Sequence, residues 1–144
     1  LRSLIQISCF PSVLPIVKAK GKSYFRRFLA QAITNPPAKF SSIIGGKFDA
    51  GLRQASTLIC REVPHLPAAV AVKRVTTMYR SISYLTAHLE ARCAVGAWKD
   101  RRAELDVELE LMTDGFTGFM QAPHKMAAPV KAAILERELH SALL

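Results

Sequence analysis

Along the stretch PHLPAAVAVKRVTTMYRSISYLTAHLE, apolar side chains return every three or four residues, at Ala71, Val75, Met78, Ile82, Leu85 and Leu89. At about 100° per residue these positions keep to one direction, so the pattern predicts a long helix from Pro67 to about Cys93 with a single core stripe. A second four-three pattern, Leu105, Leu109, Met112, Phe116 and Phe119, predicts another helix from Asp100 to Gln121. Asp100 stands where it would cap that helix, and Glu104, Asp106 and Glu108 lie toward the positive end of its dipole. Ser23 to Thr34 carries Phe25, Phe28, Leu29 and Ala32 on one side and Arg26, Arg27 and Gln31 on the other. It stops before Asn35-Pro36-Pro37, because a residue preceding proline is pushed out of the helical region and proline has no N–H to donate.

A helix capped by Ser41 or Ser42 and reaching about Glu62 would align Phe48, Leu52, Ala55, Ile59 and Val63, with Gly45-Gly46 loosening its first turns. The uncharged opening, Ser3 to Val17, reads as a buried helix and turn that Gln6, Pro11 and Pro15 interrupt. Pro129 to Leu143 reads as a weaker closing helix. No window alternates with period two, so strands are not supported. The expected fold is all-α, an orthogonal or antiparallel helical bundle, with residues 1–123 as one unit and 124–144 as a helical extension.

The long helix of 67–93 raises the question of what covers it. Between Arg74 and Glu90 only Arg80 is charged, whereas a helix on the surface of a monomer gives half its circumference to water. One flank carries Val72, Thr76, Tyr79, Ser83 and Thr86; the other carries Val70, Thr77, Ser81, Tyr84 and His88. Small, weakly polar side chains of this kind suit the close approach of a second helix. On the following helix GFTGFMQA is uncharged, and Gly115 and Gly118 each cost about 1 kcal/mol against Ala, which points to another backbone passing nearby. Two such helices from each of two chains would form an intermolecular four-helix bundle about a two-fold axis.

Charge alters this picture at one end. Residues 1–61 hold ten Lys or Arg and the single acid Asp49, while residues 62–144 hold ten of each sign. The basic first part fits an acidic partner such as nucleic acid, an acidic lipid surface or an acidic neighbouring domain. Direct nucleic-acid binding through Lys18, Lys20, Lys22, Arg26, Arg27 and Lys39 is therefore the alternative reading. Ser3 to Val17 is too short to span a bilayer, which takes roughly 20 apolar residues, so no membrane partner is expected. Cys9, Cys60 and Cys93 are far apart and odd in number, which fits a reducing cytoplasm and not a disulfide framework.

Catalytic chemistry finds no support in the sequence. AKGKS has the ending of a phosphate loop, but Ile16 stands where its first glycine belongs. No G-x-S-x-G elbow occurs, the histidines lack the four-residue spacing of a helical zinc site, and no C-x-x-C is present. The acids Glu104, Asp106, Glu108, Glu110 and Asp114 read as a solvated face. The expectation is a binding protein with no catalytic residue, no metal and no cofactor.

In order and spacing, YFRRFLAQAITNPP, then VPHLP before a long helix, then a last helix ending in DGFTGFMQAP resembles the C-terminal effector-binding and dimerisation domain of TetR/AcrR-type transcriptional repressors. The likeness runs from about Leu4 to Pro123. It implies a homodimer joined by the last two long helices, with an apolar pocket for a small apolar or amphipathic effector. Carried onto this chain, the dimer face would include Thr76, Tyr79, Ser83, Phe116, Phe119 and Met120. The pocket would draw on Phe25, Phe28, Phe48, Met78, Ile82 and Met112. Such repressors read operator DNA with an N-terminal helix-turn-helix, which this sequence does not contain. The hydrophobic start at Leu1, without Met, carries the expectation of a preceding segment.

Overall fold

The longest helix organises the molecule. The computed structural model describes residues 1–34, 49–95 and 97–124, and among these the elements are α1 (Arg2–Lys18), α2 (Phe25–Thr34), α3 (Asp49–Arg61), α4 (Ala68–Cys93) and α5 (Trp98–Gln121). The described residues are all-helical, without a strand. Helix α4 is packed by each of the other four, and α1 also lies against α5. Phe48, Lys39, Gly45-Gly46 and the extension from Lys125 onward fall outside the described residues.

Helix α1 runs straight through the two prolines expected to interrupt it. An interior proline costs a helix about 3 kcal/mol. Here Ile5, Cys9, Val13 and Ile16, spaced by four, four and three, form an inward stripe that is wholly or almost wholly buried. The Ile and Val side chains among them each return about 1.5–3 kcal/mol. Pro11 and Pro15 lie off that stripe, so their rings displace nothing in the core. Tertiary burial outweighs local propensity.

Past α1 the chain turns sharply at Lys20 and Gly21, both with positive φ, 49° and 78°. A Cβ at Gly21 would stand 2.4 Å from the carbonyl oxygen of Cys93, so only glycine lets this turn sit against the end of α4. Helix α2 then runs back along α4. It is rotated from the face expected: Ala32 is buried and Leu29 half-buried as expected, but Arg26 and Ala30 are buried beside them while Phe25 and Phe28 stand in solvent. The cause lies on α4, where the carboxylate of Glu90 is fully enclosed. Its Oε1 accepts the backbone N–H of Arg26 at 3.1 Å and its Oε2 that of Arg27 at 2.9 Å. A negative side chain thus satisfies two of the orphan donors at the start of α2. Nε of Arg26 donates inward to Thr86 Oγ1 at 2.9 Å.

The two long helices form an antiparallel hairpin, tied at both ends by arginine. Arg92 pairs with Glu104 and Glu108, and Arg101 pairs with Glu104. At the other end Arg74 donates to the carbonyl oxygens of Phe119 at 2.9 Å, Met120 at 3.3 Å and Ala122 at 2.5 Å. That guanidinium meets the orphan carbonyls at the C-terminus of α5, where a cation is favoured. The acids of α5 are therefore ion-paired rather than merely solvated: Asp106 takes Arg102, and Glu110 and Asp114 take Arg2 from α1. Helix α5 starts at Trp98, with Ala97 in the cap position and Asp100 inside the first turn.

Candidate functional site

The inward stripe of α4 consists of Ala71, Val75, Met78, Ile82 and Leu89, all buried; Leu85, expected with them, is 43% exposed. On α5 the stripe holds at Leu105 and Met112 but then passes to Met120, leaving Phe119 at the surface. Both departures turn apolar groups toward the same place. Between α4 and α5 lies an open groove of about 430 Å³, lined by Thr77, Ser81 and Leu85 of α4 and by Glu108, Leu111, Met112, Gly115, Phe116 and Phe119 of α5.

The surface beside this groove is largely apolar, and carries Glu108, paired with Arg92, and Asp114, paired with Arg2. Tyr84, Leu85, Val107 and Leu111 are all large apolar groups left in water, Leu111 at 61% exposure. Positions 107, 111, 115 and 118 make one stripe of α5 by their four-four-three spacing. A Cβ added at Gly115 or Gly118 would meet no atom within 4 Å. Nothing in the chain itself therefore requires glycine there, although each weakens the helix. Contiguous apolar surface is unusual on monomeric proteins and is frequent where they meet a partner.

The opposite edge of α4 is closed by the chain's own helices. Tyr79 Oη lies 3.1 Å from Ser8 Oγ of α1, and Ser83 Oγ donates to the carbonyl oxygen of Tyr79. Further along, Thr86 and Glu90 meet α2 as described. Burial opposes the charged form of Glu90, but the Ser23 hydroxyl, the backbone N–H groups of Arg27 and Arg26 and the nearby Arg27 guanidinium together hold its carboxyl below the ordinary value. Burial in turn pushes the Arg26 guanidinium down, against the pull of Glu90.

The residues expected to line an effector pocket do not converge. Phe25 and Phe28 are on the outer side of α2, Met78 and Ile82 are fully buried in the core, and Phe48 is outside the described residues. Met112 alone of that group touches the groove. Of the expected dimer face, Phe116 and Phe119 line the groove. Met120 is wholly buried within the chain, and Thr76, Tyr79 and Ser83 lie half-buried on the other side of α4. Thr77, Ser81, Leu85 and Leu111 were missed as groove residues. The second uncharged flank, Thr77, Ser81, Tyr84 and His88, was the signal for the first two.

Other chemistry is sparse. Desolvation raises all three thiols above their usual range, Cys9 to about 11, so none is a ready thiolate. No group of three or more potential metal ligands occurs among the described residues. None of the described helices is long and apolar enough to cross a membrane. Comparison with protein-family models, curated proteins and solved structures returns no match to this chain.

Proposed function

We propose that this chain is the dimerising domain of a regulatory protein, two copies pairing through the open face of α4 and α5 as an intermolecular four-helix bundle. The observation that carries the reading is the exposed, mostly apolar face around Thr77, Ser81, Tyr84, Leu85, Leu111, Gly115, Gly118 and Phe119, in which Glu108 is neutralised by Arg92. An isologous seam needs a patch that complements itself. Glycines with open space before them let two helices approach closely, and Tyr84 and Phe119 supply aromatic area of the kind enriched at interfaces. The resemblance to TetR/AcrR-type regulators agrees with pairing by the last two long helices, with the seam on the Thr77 edge of α4 instead of the Tyr79 edge.

In such a dimer the groove lies at the seam, where a small apolar or amphipathic effector would touch both helices and bias the spacing of the two subunits. Its influence is limited to its difference in affinity for the two arrangements. Operator recognition would belong to a preceding helix-turn-helix. Direct nucleic-acid binding draws less support, because of its six cations the Arg26 guanidinium donates to Thr86 and the Arg27 guanidinium is paired with Glu90 at 3.5 Å.

The test is molar mass by light scattering at micromolar concentration, for the chain and for Leu111→Glu. The chain should have twice its formula mass, and the variant should revert to a monomer of unchanged helicity, since Leu111 is 61% exposed in its own subunit. A monomeric parent chain, or a variant that stays dimeric, defeats this reading.

A further inference from the structure

Another surface concentrates features that the pairing of α4 and α5 leaves unused. Lys18, Lys20 and Lys22 follow one another at alternate positions through the turn between α1 and α2, and all three are exposed. The first acid in the sequence is Asp49. The acid packed nearest to this turn's continuation, Glu90, is wholly enclosed and committed to α2. Directly after the lysines come Tyr24, Phe25 and Phe28, at 70%, 53% and 64% exposure. Tyr24 and Phe28 are four residues apart, and Phe28 donates its N–H to the carbonyl oxygen of Tyr24, so their side chains emerge one above the other on the outer face of α2. On α1, Ile7, Phe10, Leu14 and Lys18 share the outward direction, with Ile7 and Phe10 well exposed. That apolar stripe ends at the lysine turn.

We propose that this corner, Lys18 to Phe28, is a docking surface for an anionic lipid membrane. Ammonium groups at the level of lipid phosphates, with aromatic and aliphatic side chains reaching the boundary of the acyl region, are what peripheral attachment uses, electrostatic attraction and apolar burial acting together. Tyrosine suits the headgroup level because its ring is apolar and its tip polar.

Two features favour lipid over a nucleic acid, which the same charge would also attract. The planar guanidinium donors that recognise phosphate in pairs are withdrawn: Arg26 onto Thr86, and Arg27 beside Glu90 with its guanidinium carbon 4.4 Å from the centre of the Tyr24 ring. The exposed rings would serve either partner, but Ile7 and the aliphatic part of the α1 stripe give a base nothing to stack on and gain by leaving water for acyl chains. Attachment here is independent of the pairing of two copies.

The experiment is co-sedimentation of the full chain with vesicles of phosphatidylcholine mixed with phosphatidylserine, beside vesicles of phosphatidylcholine alone. The chain should sediment with the mixed vesicles, stay largely in solution with the neutral ones, and be released by high salt. Lys18→Glu/Lys20→Glu/Lys22→Glu should lower partitioning about tenfold or more. Phe25→Ser/Phe28→Ser should lower it with charge unchanged, and circular dichroism should show both variants folded, since every altered side chain is in solvent. Equal sedimentation with the two vesicle types, failure to sediment with either, or indifference to both variants overturns the proposal. Absence of vesicle binding together with tight, lysine-dependent binding of a single-stranded oligonucleotide also overturns it and assigns the corner to nucleic acid.

Discussion

Helix α4 has two edges with almost no charge, and they differ in what stands opposite them. Along Tyr79, Ser83, Thr86 and Glu90 the polar atoms meet partners from α1 and α2 or from the helix backbone. Along Thr77, Ser81 and Leu85 the neighbours are a groove and water, and Tyr84 beside them is 48% exposed, touching α2 through an exposed hydroxyl pair with Thr34. The first edge contains a fully buried carboxylate, which is tolerable only where donors are already in place. The second contains no buried titratable group and asks nothing specific of its partner except shape. Lack of charge therefore marks a covered edge without saying what covers it. A buried acid four residues past a buried threonine says that the cover is built in.

The largest effect separating the edges should come from Glu90→Ala. It leaves two N–H groups of α2 and the partly exposed Arg27 without their acceptor, at a cost of about 3 kcal/mol in chemical denaturation. Molar mass per folded particle should not change. Because the folded protein holds the Glu90 carboxyl below its ordinary value, its contribution is fully present above about pH 4.3. It is lost as the pH falls through the lower folded value, since the unfolded chain then binds the proton more readily. A wild-type acid midpoint equal to that of Glu90→Ala would show that α2 is not held by this group.

The open edge gives a response of opposite sign. Gly115→Ala with Gly118→Ala introduces two Cβ atoms into empty space and removes a helix penalty of about 1 kcal/mol per residue. The isolated subunit should become more stable to urea while two-fold association weakens, because the added methyl groups hold the partner helix away. Greater stability with an unaltered association constant would identify the face as ordinary surface.

Most of the helices could be read from the sequence, and their orientation only in part. The periods of 71–89 and 105–116 are long and regular, so the core of the hairpin followed directly. Helix α1 was legible as a buried helix but not its continuity through Pro11 and Pro15, whose local cost is visible in sequence whereas the burial of Ile5, Cys9, Val13 and Ile16 that outweighs it is not. The rotation of α2 was unreadable for a related reason. Phe25 and Phe28 carry the stronger hydrophobic signal over only ten residues, and the carboxylate that draws Arg26 inward is more than sixty residues away. At the candidate site the uncharged flanks and the glycines were visible, but choosing between the flanks required knowing where α1 packs. Leu111 was overlooked because it lies between Glu110 and the core stripe, in a stretch whose acids suggest water.

The smallest expected effects compare two tyrosines five residues apart on α4. Tyr79→Phe removes the contact with Ser8, leaving a half-buried hydroxyl less well satisfied, and should lower stability by about 1 kcal/mol. The urea midpoint should shift at constant slope, without change in association. Tyr84 Oη also has a partner, Thr34 Oγ1 at 2.8 Å, but that pair is exposed, so water can replace either member. Tyr84→Phe should therefore move stability by less than about 0.5 kcal/mol. Tyr84→Ser, which removes the ring, should leave the subunit equally stable and weaken pairing. If instead Tyr79→Phe altered association and Tyr84→Ser did not, the covered and open edges of α4 would have to be exchanged, and with them the seam between two copies.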